Sequence, residues 1–252
     1  VIEVDNVTKR YGSATVVDSV SLTIAKGGMT AIVGPNGAGK STLCSMIGRL
    51  IPMDEGSIKV DGFDVTATKG ERLARRISIL SQENHVTARL SVEDLVLLGR
   101  YPYTHGRTTI EDREHLEATI DFMELGPLRH RFLDQLSGGQ RQRAFVAMVL
   151  CQDTDYILLD EPLNSLDMKH AVAMMKLLRR VCDEQQKTIV YVVHDVNIAS
   201  WYSDRVVALK DGRIVHDGDP SSFMQPEVME SIFEVDVVIQ EVKGKPFAVY
   251  YG

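Results

Sequence analysis

The stretch Gly34 to Thr42, G-P-N-G-A-G-K-S-T, constrains what this chain can fold into more than any other. It matches G-x-x-x-x-G-K-[ST], with Lys40 and Ser41 closing the pattern. The apolar run Met29 to Val33 before it reads as a buried strand, and Leu43 to Leu50 after it reads as a helix. A strand that turns through glycines into a helix points successive backbone N–H groups inward, where Cβ atoms would crowd an approaching anion. The helix adds its own unpaired N–H groups and the positive end of its dipole. Phosphate oxygens suit this geometry, with Gly34, Pro35, Asn36, Gly37, Ala38 and Gly39 forming a cradle that Lys40, Ser41 and Thr42 complete. Lys40 is placed to reach the β- and γ-phosphates of a nucleotide, and the Ser41 hydroxyl to ligate Mg2+.

A chain of 252 residues holds one large or two small domains. Its net charge of −7 argues against a surface built to coat nucleic acid. No apolar run approaches the roughly 18 residues needed to cross a bilayer, and the first residues lack a charged-then-apolar signal pattern. Cys44, Cys151 and Cys182 are widely spaced, odd in number and set in apolar helical contexts. They read as small core residues of a reducing, cytoplasmic compartment.

Residues 1–8 alternate apolar and polar, Arg10-Tyr11-Gly12 turns, and Val16 to Ile24 resumes the alternation. With Ser57 to Val60 as another strand, this predicts antiparallel strands beside the strand-loop-helix. Thr68 to Arg76 reads as a basic helix and Ile77 to Leu80 as a buried strand ending at Ser81-Gln82. No strand pattern follows until about 153. Ser91 to Leu98, Thr109 to Leu125 and Gln142 to Leu150 read as helical, and Gly99 to Arg107 as a loop bearing aromatics. Strands return at Tyr156 to Leu159 and Thr188 to Val193, helices at Met168 to Cys182 and Asp195 to Ser203, then a hairpin around Asp211-Gly212. A last helical section runs from Asp219 to about Phe233, and residues 235–250 read as a short β tail. Strands alternating with helices predict a doubly wound α/β core. We expect that core over 1–84 and 154–220, a helical insertion over 85–153 and a short C-terminal extension over 221–252.

The run Tyr156 to Glu161, Y-I-L-L-D-E, delivers two carboxylates at a strand's C-terminal end, where an α/β sheet binds ligands. Asp160 is placed to hold the Mg2+ shell and Glu161 to orient or activate an attacking water. A solvated strand end gives the same residues. Leu136 to Gln140, L-S-G-G-Q, reads as a second anion grip, with Ser137 and the N–H groups of Gly138 and Gly139 at a helix start. An ordinary helix cap gives that pattern too, and a chain with one phosphate loop needs a reason for a second grip.

Taken in order, these stretches resemble the ATP-binding cassette (ABC) transporter ATPase subunits over nearly the whole chain, and L-S-G-G-Q is similar to that family's signature. The resemblance implies an α/β P-loop NTPase core with a mixed, largely parallel sheet, an antiparallel β subdomain and an inserted α-helical subdomain. It implies ATP hydrolysis with Mg2+ by two copies arranged head to tail. Ser137, Gly138, Gly139 and Gln140 of one copy then close over the γ-phosphate held by the other. Within it, Tyr11 resembles the aromatic that stacks on adenine, and Gln82 the glutamine that touches Mg2+ and water. Glu161 resembles the catalytic carboxylate and His194 the switch histidine near the γ-phosphate, both working with Lys40. Ser165, Leu166 and Asp167 resemble the loop that crosses the dimer interface, with Ser165 where alanine is frequent. Plainer roles stay open: a packed turn aromatic for Tyr11, a strand cap for Gln82, a core histidine for His194.

L-V-L-L-G-R-Y-P-Y at 95–103 and E-P-L-N-S-L-D at 161–167 resemble the importers for iron siderophores, haem and cobalamin. That implies import through separate integral membrane permease subunits, at the cytoplasmic side of the membrane. An extracytoplasmic substrate-binding protein would be an indirect partner, and nucleic acid none. Haem, cobalamin or a metal ion stay open as substrates, as does a non-transport cassette ATPase.

Overall fold

The computed structural model describes residues 1–250 apart from 83, 85, 87 and 165. The chain opens with β1 (Ile2–Tyr11), β2 (Ala14–Ile24) and β3 (Gly28–Val33), then passes the glycine loop into α1 (Lys40–Ile47). β4 (Glu55–Val60), β5 (Phe63–Asp64), α2 (Gly70–Ala74) and β6 (Ile77–Leu80) follow. A helical stretch holds α3 (Val92–Leu98), α4 (Tyr101–Thr104), α5 (Ile110–Phe122) and α6 (Gly138–Cys151). Strands and helices then alternate through β7 (Tyr156–Asp160), α7 (Met168–Gln185), β8 (Thr188–Val192), α8 (Val196–Tyr202), β9 (Arg205–Lys210) and β10 (Arg213–Gly218). The chain closes with α9 (Pro220–Phe223), α10 (Pro226–Phe233) and the hairpin of β11 (Val238–Val242) and β12 (Lys245–Val249).

The central sheet has the order β10-β9-β3-β8-β7-β6. All its pairings are parallel except that of β10, the antiparallel edge. A second, antiparallel sheet has the order β2-β1-β4-β5. This is the mixed, largely parallel architecture with an antiparallel companion that the family resemblance implies.

The inner strands read as unbroken apolar runs because both faces of the central sheet are covered. Their residues still divide by alternation. Ala31, Ile157, Leu159, Ile189 and Tyr191 enter the core built with helices α3, α5, α6 and α7. Ile32, Leu158, Val190, Val192 and Val207 enter the core built with α1 and the antiparallel sheet. A slip of one residue would exchange the two sets, so the register is strongly fixed. Each fully buried aliphatic side chain contributes about 1.5–3 kcal/mol relative to exposure.

Between β6 and β7, the one strand-like pairing among the described residues is a bridge from Ser91 to Phe132. α3 and α5 each begin with a capping box, Ser91 with Asp94 and Thr109 with Asp112. Arg100 Nε donates to Asp112 Oδ1 at 3.0 Å, Arg100 Nη1 donates to the Cys151 carbonyl at 3.2 Å, and the guanidinium lies over the Tyr103 ring. Among the described residues, no helix is long and apolar enough to cross a membrane.

Several elements differ from the sequence expectation. α1 starts at Lys40, so the end of the glycine loop is already the helix's first turn. α2 is shorter than Thr68 to Arg76, because Lys69 is extended and the Arg76 carbonyl already accepts the Tyr156 N–H in the sheet. A one-turn helix, α4, occupies the expected loop, with Pro102 in its first turn, where a missing N–H costs nothing. β1 runs on to Tyr11, which ends a strand rather than sitting within a turn.

Candidate functional site

β3 ends in the middle of the central sheet, and the chain turns from Gly34 into α1. Gly34 lies at φ 138°, and a Cβ there would sit 2.0 Å from the Leu209 carbonyl oxygen of β9. Gly39 lies at φ 95°, and its Cβ would sit 2.4 Å from the Val16 carbonyl oxygen of β2. The loop is therefore pressed between the backbones of two different sheets, and glycine is required for space as well as for the dihedral. Lys40 is 5% exposed, and its Nζ donates to the carbonyls of Gly34 and Pro35, each at 2.9 Å. Burial lowers the Lys40 ammonium from the usual lysine range, against the pull of Glu161 and Asp160.

β7 is buried along its length and ends in Asp160, 4% exposed. Ser41 Oγ donates to Asp160 Oδ1 at 2.9 Å. Burial pushes the Asp160 carboxyl above the usual range, and the Ser41 hydrogen bond offsets only part of that. The next residue, Glu161, adopts a left-handed φ of 51°, a rare conformation for a residue with a side chain. Its Oε2 accepts from Gln82 Nε2 at 3.0 Å, and its Oε1 lies 2.8 Å from His194 Nε2. A carboxylate can only accept, so the proton of that second bond sits on His194 Nε2. The carboxylate is thus gripped from two strand ends, beyond β6 and beyond β8. Gln82, Glu161, His194 and Val16 line one cleft with Asn36 to Thr42, about 220 Å³ in volume. The hard oxygen donors of Ser41, which lines it, and of Asp160, bonded behind Ser41, fit a divalent cation such as Mg2+.

The other candidates lie elsewhere. Tyr11, 52% exposed, ends β1 with Lys9 Nζ 5.5 Å from its ring centroid, and it does not line that cleft. Val16 does, a contribution no spacing rule in the sequence announces. Ser137 caps α6: its Oγ accepts from Gln140 N at 3.3 Å, while its own N–H donates to Gln140 Oε1 at 3.1 Å. Gly138 and Gly139 open the helix. None of Ser137 to Gln140 lines the phosphate cleft. Asp167 caps α7, accepting from His170 N, and Leu166 packs against the helix-side core. Ser165 lies outside the described residues. His170 escapes the sequence reading, although its spacing from Asp167 repeats the three-residue step of the capping boxes. A single chain thus offers two separate groups, a phosphate cleft and a capped, glycine-bearing helix start.

Residues 17–164 match the family model of the ABC transporter. The chain is 51% identical over 251 residues to the petrobactin import ATP-binding protein YclP of Bacillus subtilis (strain 168), covering 100% of both chains. It is 49% identical over 249 residues to the petrobactin import ATP-binding protein FatE of Bacillus anthracis, covering 99% of this chain and 100% of that one. A solved structure of the ATP-binding cassette MJ0796, a post-hydrolysis dimer bound to ADP and Pi, matches with a TM-score of 0.77 at 30% identity. That match covers 87% of this chain and 99% of the other.

Proposed function

The chain belongs to the ABC transporter family, and from that premise we propose that it hydrolyses ATP to drive import of an iron–siderophore-type complex through a separate membrane permease. One observation carries the catalytic reading: the Glu161 carboxylate is held between Gln82 and His194 in the same cleft as Lys40 and Ser41. Backbone N–H groups of Gly34 to Thr42 and the Lys40 ammonium receive the phosphates. Lys40 exchanges its bonds to two carbonyls for bonds to phosphate oxygens, whose negative charge offsets the hydration that burial removes. Ser41 and Asp160, with Gln82, would hold Mg2+, and such an ion shields the charge of the β- and γ-phosphates. Glu161 orients and polarises the attacking water, and Gln82 and His194 fix the direction of its carboxylate. Tyr11, exposed at the end of β1, is the platform for adenine.

The second half of the site comes from a second copy. Ser137 to Gln140 of one chain close over the γ-phosphate held by the other, with Ser165, Leu166 and Asp167 at the interface. Their separation from the cleft within one chain supports this reading. The helical insertion over 85–153 meets the permease, so the working chain sits at the cytoplasmic face of the membrane, with a substrate-binding protein as an indirect partner. The relatives named for petrobactin import, aligned over whole chains, support the substrate class.

The test is Glu161→Gln. It retains nucleotide affinity, loses turnover by at least about 100-fold and accumulates an ATP-dependent dimer in sedimentation. Hydrolysis at the parent rate rejects the role given to Glu161. For the substrate, a strain lacking the gene is grown on single iron sources. Growth lost on siderophore-bound iron supports the class, and growth lost on haem or without cobalamin alone opposes it.

A further inference from the structure

The opening turn of α6 and the start of α7 meet at His170. A Cβ built on Gly139 would lie 3.3 Å from Cγ and 3.5 Å from Cδ2 of the His170 ring, and 3.5 Å from Leu166 Cδ2. Gly139 is helical, so its dihedrals do not call for glycine; a methyl there would press on the ring at one atom and meet the rest at ordinary contact. The ring, partly exposed, is tied on its Nδ1 side. Its Nδ1 lies 2.8 Å from Asp167 Oδ1, the same oxygen that accepts the His170 backbone N–H at 2.9 Å. Those two bonds, the backbone one first, hold the Asp167 carboxyl below the usual range, so it stays an acceptor and the ring proton sits on Nδ1. Leu166, the other neighbour, packs against the helix-side core.

We infer that His170 is a positioning residue that fastens the Ser137–Gln140 turn to the Leu166–Asp167 segment, so that one copy presents both to its partner as a single rigid piece. The inference rests on the reading that this turn acts on the nucleotide of a second copy. His170 does not line the phosphate cleft, and its hydrogen bonds go to Asp167. Its effect is on assembly: two segments already fixed to each other need no ordering when the dimer closes.

Sedimentation of the full chain with ATP, in the Glu161→Gln background, tests this. Ser137→Arg comes first and must abolish the dimer; its survival overturns the two-copy reading and this inference with it. His170→Ala raises the protein concentration for half-dimerisation roughly tenfold, about the worth of one hydrogen bond to a charged group, while ATP affinity of the dilute chain is unchanged. His170→Asn, whose amide nitrogen takes the place of Nδ1, restores dimerisation to within about twofold of the parent. Gly139→Ala weakens dimerisation when His170 is present and adds nothing in the His170→Ala chain, because the ring it meets is gone. If His170→Ala fails to fold, His170→Gln replaces it, since its amide nitrogen lies one bond too far out. Parent-like dimerisation of the His170 variant, or an equal Gly139→Ala loss in both backgrounds, overturns the inference. With Ser137→Arg still blocking, either result leaves the two-copy reading standing.

Discussion

Asp160 is a carboxyl group that water barely reaches, and the Ser41 hydroxyl is what meets it. Ser41→Ala removes that donor and one candidate metal ligand together. We expect the variant to bind nucleotide without metal about as well as the parent. It should need at least about tenfold more Mg2+ for half-maximal hydrolysis, read by titrating metal against turnover. An unchanged metal requirement would remove Ser41 from the metal site. These residues were legible in the sequence from their places in it: Lys40 and Ser41 close the glycine motif that follows the strand of Met29 to Val33, and Asp160 ends the apolar strand from Tyr156. The pose of Glu161 was not legible. Its left-handed turn comes with a side chain bonded to Gln82 and His194, both remote in the sequence. Val16 was hidden for a related reason, since what it shows the loop is a backbone carbonyl, which every residue type carries.

At the scale of elements, α5 hangs on one side chain. Asp112 closes the capping box with Thr109 and pairs with Arg100, both side chains 4% exposed. Burial raises the Asp112 carboxyl, but the hydrogen bonds from Thr109 and Arg100 outweigh it and hold the group below the usual range. Asp112→Ala should cost about 3 kcal/mol at neutral pH, because it strands a buried guanidinium and uncaps the helix. A depressed carboxyl contributes stability above its unfolded value of about 4, and that contribution fades as pH falls through the folded value. Urea unfolding of parent and variant should therefore converge in acid. A gap that stays constant to about pH 3 would mean the loss is packing alone. The periodic pattern gave α5 its apolar face, but a pair of opposite charges on separate elements has no signature in the sequence. Propensity also misses α4, a single turn with Pro102 near its start, and the early end of α2, where pairing with β7 takes the backbone.

For the whole molecule, the proposed two-copy site makes activity depend on encounter. ATPase activity per mole of chain should rise with protein concentration in dilute solution, toward second-order behaviour, and level off as dimers saturate. A specific activity independent of concentration over that range would assign the full site to one chain. Unbroken apolar runs alternating with helical stretches made the fold class readable, since a strand buried on both faces carries that pattern. What lay beyond reading was how closely the antiparallel sheet approaches the glycine loop. That approach bears on heredity. The atoms that exclude a side chain at Gly34 and Gly39 are main-chain oxygens of Leu209 and Val16. No exchange of those two neighbours can make room, because every amino acid brings the same oxygen. A lineage that loses either glycine has no local compensating change open to it, and only reversion restores the loop. Gly139 is bounded instead by side chains, which mutation can trim. Two glycines are locked in place by the backbone, and a third is held by neighbours that can themselves change.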